Sequence, residues 1–308
     1  MFRPAIQKLY VLVLMAIFCI AMTVISLNSQ LDYKKPYYNE KVNASNHMFK
    51  ALKILRSQYL KIPNQRYDNE EDFIDSNGNG LYDVGEDIIN DRRPFSSLDP
   101  LETGLVFYQD DLPGNPSSKL TTLNPSFAAF VIDLMIDSGI EIPKNRDREP
   151  KVAVALSSSF PGANLAVLSA CKAMDIEPII ITSLSGSNYG ALAYSEFSWL
   201  DMEKILTDND VFPSTYNSKA VSIGRGSDSG IGLDSLIINE IKGAIKNHTI
   251  EFIYNEKETD LSYYIDRRMA IYDKRNDFAP YDLFINVGGG HASIGTIDDI
   301  RRASGALS

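Results

Sequence analysis

KVAVALSSSFPGANLAVLSACKAMDIEPIIIT, residues 151–182, decides how this chain folds. Residues 152–156 form a short apolar run of strand length, followed by a turn of three serines, Phe160, Pro161 and Gly162. Residues 163–174 repeat apolar positions at helical spacing, and residues 178–182 carry three consecutive isoleucines. A continuous β-branched run signals a strand buried on both faces, as in parallel sheets. Strand, helix, strand within some thirty residues is the parallel crossover unit. The alternation continues downstream, with helices expected at residues 199–206, 233–246 and 261–276 and strands at 220–223, 251–254 and 283–287. This predicts an α/β fold with a mostly parallel, doubly wound, Rossmann-like sheet covered on both faces. Upstream, Asn124 and Pro125 supply a helix cap and first turn, and Phe127, Phe130, Val131, Leu134 and Met135 give that helix an apolar face.

Four segments follow from the N-terminus. Residues 9–27 contain no charged side chain. A run of this length spans a bilayer core of roughly 30 Å as a helix. A cleaved signal peptide has an apolar region of about 7–15 residues; this run is longer, no A-x-A-like site follows it, and bulky Phe18 before Cys19 does not fit a lipoprotein cleavage site. Residues 1–30 therefore read as a single-pass transmembrane anchor. Arg3, Lys8 and the terminal amine precede it and Lys34 and Lys35 follow, which leans slightly toward an extracytoplasmic domain. Residues 31–67 read as a stalk with a helix carrying Phe49, Leu52, Ile54, Leu55 and Tyr59, residues 68–97 as an acidic insertion, and residues 98–308 as the α/β domain. The chain stops soon after the last expected strand, where a doubly wound domain would start another helix, so it reads as C-terminally incomplete. Its net charge of −10 disfavours nucleic acid as a partner. Of two cysteines, Cys19 lies in the anchor, which leaves Cys171 without a partner for an intramolecular disulfide.

Within the acidic insertion, Asp75, Asn77, Asn79, Asp83 and Glu86 occupy positions 1, 3, 5, 9 and 12 of a twelve-residue loop. Gly80 stands at the sharp turn and Leu81 offers a carbonyl at position 7. Hard oxygen donors at this spacing suit Ca²⁺. Tyr82 and Asp87 depart from the paired EF-hand pattern, so the expectation is an isolated structural calcium loop rather than a sensor. Such loops bind at about 10⁻⁴–10⁻³ M, a level found outside cells.

In a parallel sheet the loops that leave the C-terminal strand ends share one edge, where ligands bind. Four such loops are rich in glycine and serine: residues 157–162, 183–190, 224–232 and 288–295. Ser157, Gly162, Ser185, Gly186, Ser187, Gly224, Gly226, Gly288, Gly289 and Gly290 would let backbone N–H groups approach an anion, with Arg225 as the cation. Tight turns use the same residues for geometry alone; four of them on one edge favour a site. Neither a dinucleotide fingerprint nor a Walker lysine is present, so no nucleotide cofactor is expected. Ser158 or Ser159, His291 and Asp228 supply the residue types of a serine hydrolase, but without a G-x-S-x-G elbow. A small-anion binding module is the remaining alternative. Three histidines and two cysteines make a zinc site unlikely.

Residues 122–131 (TLNPSFAAFV), 158–167 (SSFPGANLAV), 197–203 (FSWLDME) and 285–290 (INVGGG) resemble the poly-γ-glutamate system protein family. The resemblance covers residues 98 to the end. It implies a membrane-anchored protein of bacterial poly-γ-glutamate synthesis operons, acting with other synthesis or export proteins, or on the polymer itself, at the cell envelope. It implies no established reaction and no catalytic residue. The calcium loop is an insertion on the family pattern, and members continue past the glycine triplet. The expected function is therefore an accessory role in polymer synthesis or export, with a hydrolase or transferase acting on the γ-glutamyl chain as the alternative.

Overall fold

The structure is a computed structural model that describes residues 8–28, 37–61, 74–81, 83, 102–106, 114–187, 190–191, 197–288 and 290–294. It divides into two units, residues 1–38 and 39–308. The first contains α1 (Leu9–Asn28), whose residues Leu9–Ser26 are long and apolar enough to cross a membrane. A signal sequence meets the same criterion.

All but the first residue of α2 (Tyr38–Tyr59) belongs to the second unit. Its Ala44, Met48, Ala51, Leu55 and Tyr59 are buried, whereas Phe49 is 57% exposed. Of the residues expected on its apolar face, Leu52, Leu55 and Tyr59 are buried; the helix starts about three turns before Phe49, and Ala44, Met48 and Ala51 extend the buried face. Tyr59 meets Phe197 at a ring-centroid distance of 5.4 Å, and Lys50 Nζ donates to the Asp210 carbonyl. Those contacts make α2 part of the α/β body. Two short helices follow, α3 (Pro116–Thr122) and α4 (Ser126–Asp137). Asn115 caps α3 by accepting the Ser117 N–H, and Asn124 accepts the Ser126 N–H at 2.9 Å. Helix α3 is an addition to the helices expected from the sequence: its seven residues, PSSKLTT, have no apolar face to signal a helix.

The sheet has five strands, β1 (Val152–Ser157), β2 (Pro178–Ser183), β3 (Ala220–Ser222), β4 (Glu251–Ile253) and β5 (Leu283–Asn286), in the order β4-β3-β2-β1-β5. Every pairing is parallel, with Val154 opposite Ile180 and Ile285. The connecting helices are α5 (Pro161–Ala173), α6 (Trp199–Asp208), α7 (Ser235–Lys246) and α8 (Leu261–Arg275), and α9 (His291–Ile294) follows β5. Successive residues of β3 enter different cores. Ala220 packs with Ala153, Ile181, Tyr264 and Tyr272, while Val221 packs with Leu200, Ile241 and Ile245. Both sheet faces are therefore covered, as the three-isoleucine run requires: Ile180 and Ile181 are 0% exposed.

The path of the chain positions the site. It steps from β1 outward to β4, then returns through α8 to add β5 on the far side of β1. Helix α8 must cross a whole sheet face to do this, and its Tyr264, Ile271 and Tyr272 share one cluster with Ala153 of β1, Ile181 of β2, Ala220 of β3 and Ile253 of β4. Tyr272 Oη also donates to the Val154 carbonyl at 2.8 Å. The crossing brings Arg268 beneath the loops that leave β2 and β3.

Candidate functional site

The C-terminal ends of the strands open into a cleft of about 300 Å³, to which all four glycine- and serine-rich loops contribute. Its lining includes seven serines (Ser157, Ser159, Ser183, Ser185, Ser187, Ser227 and Ser293), Arg225, Asp228 and His291, with Gly186, Gly226 and Gly290 between them. Leu156, Val287 and Ala292 supply apolar floor.

The electrostatics follow from one buried pair. Asp228, the single carboxylate of the lining, meets Arg268 of α8, with both side chains 3% exposed and Nε to Oδ2 at 2.8 Å. Arg268 Nη2 also donates to Ser183 Oγ (2.8 Å) and Ser222 Oγ (2.7 Å). Ser222 Oγ in turn donates to Asp228 Oδ1 at 2.7 Å. The carboxylate is thereby neutralised within the wall. Arg225, by contrast, is exposed and lines the cleft, and no hydrogen bond or ion pair holds its guanidinium among the described residues.

The loop that presents Arg225 is strained. Residues 224–228 all have positive φ, including Arg225 at 41°, Ser227 at 56° and Asp228 at 72°. A side chain in the left-handed region costs about 1–2 kcal/mol, so the turn needs anchors. Gly230 N–H donates to the Gly224 and Arg225 carbonyls, Ser229 Oγ donates to the Gly226 carbonyl, and Asp228 is fixed by Arg268. At Gly226 a Cβ would stand 2.2 Å from the Ile231 carbonyl oxygen, which leaves room for glycine alone.

Several glycines expected to approach a ligand instead let one loop approach another. A Cβ on Gly224 would stand 2.6 Å from Ser185 Oγ, and one on Gly288 would stand 3.1 Å from Ser157 Cβ. Gly162 lies outside the cleft lining: it is buried in the first turn of α5, where the Thr122 carbonyl of α3 takes the space of a Cβ. Gly289 lies outside the described residues.

The serine-hydrolase set is not assembled from the residues considered. Ser158 is 1% exposed and its Oγ has no hydrogen-bond partner among the described residues. Ser159 lines the cleft, but its Oγ accepts the Ser187 N–H at 3.0 Å. Among the described residues no hydrogen bond joins His291 to Asp228, whose oxygens are engaged by Arg268, Ser222 and Ser183.

Two functional candidates carried no local signal. Arg268 is one of many charged residues on a helix, and its partner lies 40 positions away. Lys119 of α3 is 3% exposed and donates to the Ser159 carbonyl and to Ser187 Oγ, the latter at 2.8 Å. Its Nζ lies 3.5 Å from the Phe160 ring centroid. Burial pushes the ammonium down to about 8.

In the acidic insertion, Asp75 accepts backbone N–H groups from Gly78, Asn79 and Gly80. These bonds, led by that of Gly80, hold its carboxyl below the usual range. Asn77 and Asn79 each donate a side-chain N–H to Asp83 Oδ2, at 2.5 and 2.7 Å. Asp83 and the two asparagines therefore converge on one point, with Leu81 beside them. Glu86 lies outside the described residues.

Comparison with protein-family profiles, curated proteins and solved structures finds no match for this chain.

Proposed function

We propose that this protein is an accessory component of poly-γ-glutamate synthesis or export, holding carboxylate groups of the polymer in the cleft at the C-terminal strand edge. The observation that carries this reading is the character of the cleft among the described residues: seven hydroxyls, an arginine with no partner there, and one carboxylate already neutralised by Arg268. Carboxylates are well served by arginine and by hydroxyl donors. The chain as a whole is acidic, at −10, so attraction to a polyanion must be local, and Arg225 supplies it. The resemblance of residues 122–131, 158–167, 197–203 and 285–290 to the poly-γ-glutamate system proteins gives the polymer its identity.

The reading extends to architecture and location. The order β4-β3-β2-β1-β5, with the direction of winding reversed at β1, supports a doubly wound, Rossmann-like domain. The cleft takes in the loops of β1 and β5 on either side of the reversal and extends to the loops of β2 and β3. Helix α1 serves as a single-pass anchor that keeps the domain on the extracytoplasmic side. The Asp75–Glu86 loop takes a structural Ca²⁺ there, a reading supported by the convergence of Asn77, Asn79 and Asp83. Those amide groups would turn their oxygens inward to serve as ligands.

In polymer-producing cells, Arg225→Ala is expected to reduce polymer yield severalfold at unchanged protein level in the membrane fraction. Unchanged yield and chain length would sink the proposal.

A further inference from the structure

Lys119 is difficult to explain as a structural tie. A buried ammonium with no carboxylate partner among the described residues is costly, and a neutral donor could bridge the Ser159 carbonyl and Ser187 Oγ as well. Desolvation is the cause of its lowered proton affinity. That property has a use where the lysine touches a hydroxyl that faces a cleft. Ser187 lines the cleft, while Lys119 stands behind it, outside the lining. The contact is 2.8 Å from Nζ to Oγ, and the Ser187 backbone is itself held by its N–H bond to Ser159 Oγ.

We infer that Ser187 and Lys119 form a nucleophile–base pair that cleaves or transfers γ-glutamyl amides bound in the cleft. This rests on the reading of the cleft as a γ-glutamyl site and adds a reaction to it. Neutral Lys119 Nζ takes the Ser187 hydroxyl proton as Oγ bonds to the amide carbonyl carbon. On collapse the C–N bond breaks, and the leaving amine takes that proton from Lys119. Water then adds to the acyl ester, passing a proton through Lys119 to Ser187 Oγ as the ester bond breaks. The sum is amide plus water giving acid plus amine, with no change in oxidation state; an acceptor amine in place of water gives transfer. Serine–lysine pairs perform acyl chemistry on unrelated folds. Ser158, Asp228 and His291 have no part in it.

The test is covalent labelling of the full-length protein in detergent with a fluorophosphonate, where Ser187 Oγ displaces fluoride from phosphorus. Peptide mass spectrometry should place the adduct on Ser187, at a rate that rises with pH through about 8. Lys119→Met should slow labelling by about 100-fold or more, the usual contribution of a general base. An unlabelled Ser187 in the wild type, or labelling of the Met variant at the wild-type rate, would overturn the inference. Should Lys119→Met not fold, as judged by circular dichroism, the wild-type pH profile decides alone, and a flat profile from about pH 6 to about pH 10 is the contrary result. A γ-glutamyl oligomer titrated into Ser187→Ala separates the two proposals. Retained binding with an unreactive wild-type Ser187 rejects the pair and keeps the cleft; absent binding in variant and wild type rejects the cleft reading as well.

Discussion

Replacing Asp228 by Asn removes one charge and little else. Asparagine tolerates the left-handed backbone that Asp228 adopts at φ 72°, and it keeps the size of the side chain. What changes is that Arg268, 2% exposed, loses its counter-charge and keeps the hydroxyls of Ser183 and Ser222 as its firm partners among the described residues. Breaking a buried pair on one side costs about 3–5 kcal/mol. Part of this is recovered if the turn at residues 224–228 relaxes, because Arg225 and Ser227 each hold about 1–2 kcal/mol of backbone strain. The expected net loss is about 3 kcal/mol. Trp199 is the single tryptophan and is 0% exposed, so its fluorescence in a urea titration reports unfolding of the domain. Adding Arg268→Met to Asp228→Asn should restore much of the loss, since both charges are then gone. A loss under about 1 kcal/mol for Asp228→Asn, or a double variant as unstable as the two single losses added, would refute a desolvated pair that anchors the loop.

Gly226→Ala should cost at least about 2 kcal/mol in the same titration, because its Cβ meets the Ile231 carbonyl at 2.2 Å. Gly232→Ala, also at positive φ (81° against 49° at Gly226) but with nothing within 4 Å, should cost only about 1 kcal/mol; equal effects would argue against the close approach. Glu203 accepts hydrogen bonds from Trp199 Nε1 and Ser218, yet burial raises its carboxyl to about 7. The folded state then holds this proton more tightly than the unfolded chain, whose value is 4.5. Its contribution is full below pH 4.5 and is lost as pH rises to about 7, by about 3 kcal/mol. Glu203→Gln should flatten stability against pH over that window, and an unchanged slope would contradict the assignment. Melting with Ca²⁺ and with chelator should differ by several degrees if the Asp75–Glu86 loop binds the ion, whereas identical midpoints would remove the calcium proposal.

The strands were legible because apolar runs of strand length alternate with helical segments; β1 carries valines and alanines, and β2 announces itself through Ile179, Ile180 and Ile181. The loops at the strand ends were legible as a set once the strands were assigned, since parallel topology sends them to one edge. What escaped depends on contacts distant in sequence. Helix α2 presents Ala44 and Ala51 inward, and small residues give little periodic signal. Lys119 sits in a helix of seven residues with no apolar stripe. Nothing near Arg268 distinguishes it from Arg267, yet the latter pairs at the surface with Glu251 while the former lies under the cleft. Gly162 carried a correct signal for close approach, but its neighbour is the Thr122 backbone rather than a ligand.

Hydrogen exchange of the full-length protein, measured with and without a γ-glutamyl oligomer, addresses the central claim that four loops form one carboxylate site. Added oligomer should slow exchange together in residues 157–160, 183–187, 224–232 and 287–294, and Arg225→Met should abolish the effect. Exchange left unchanged in these loops, or slowed only elsewhere in the chain, would contradict it.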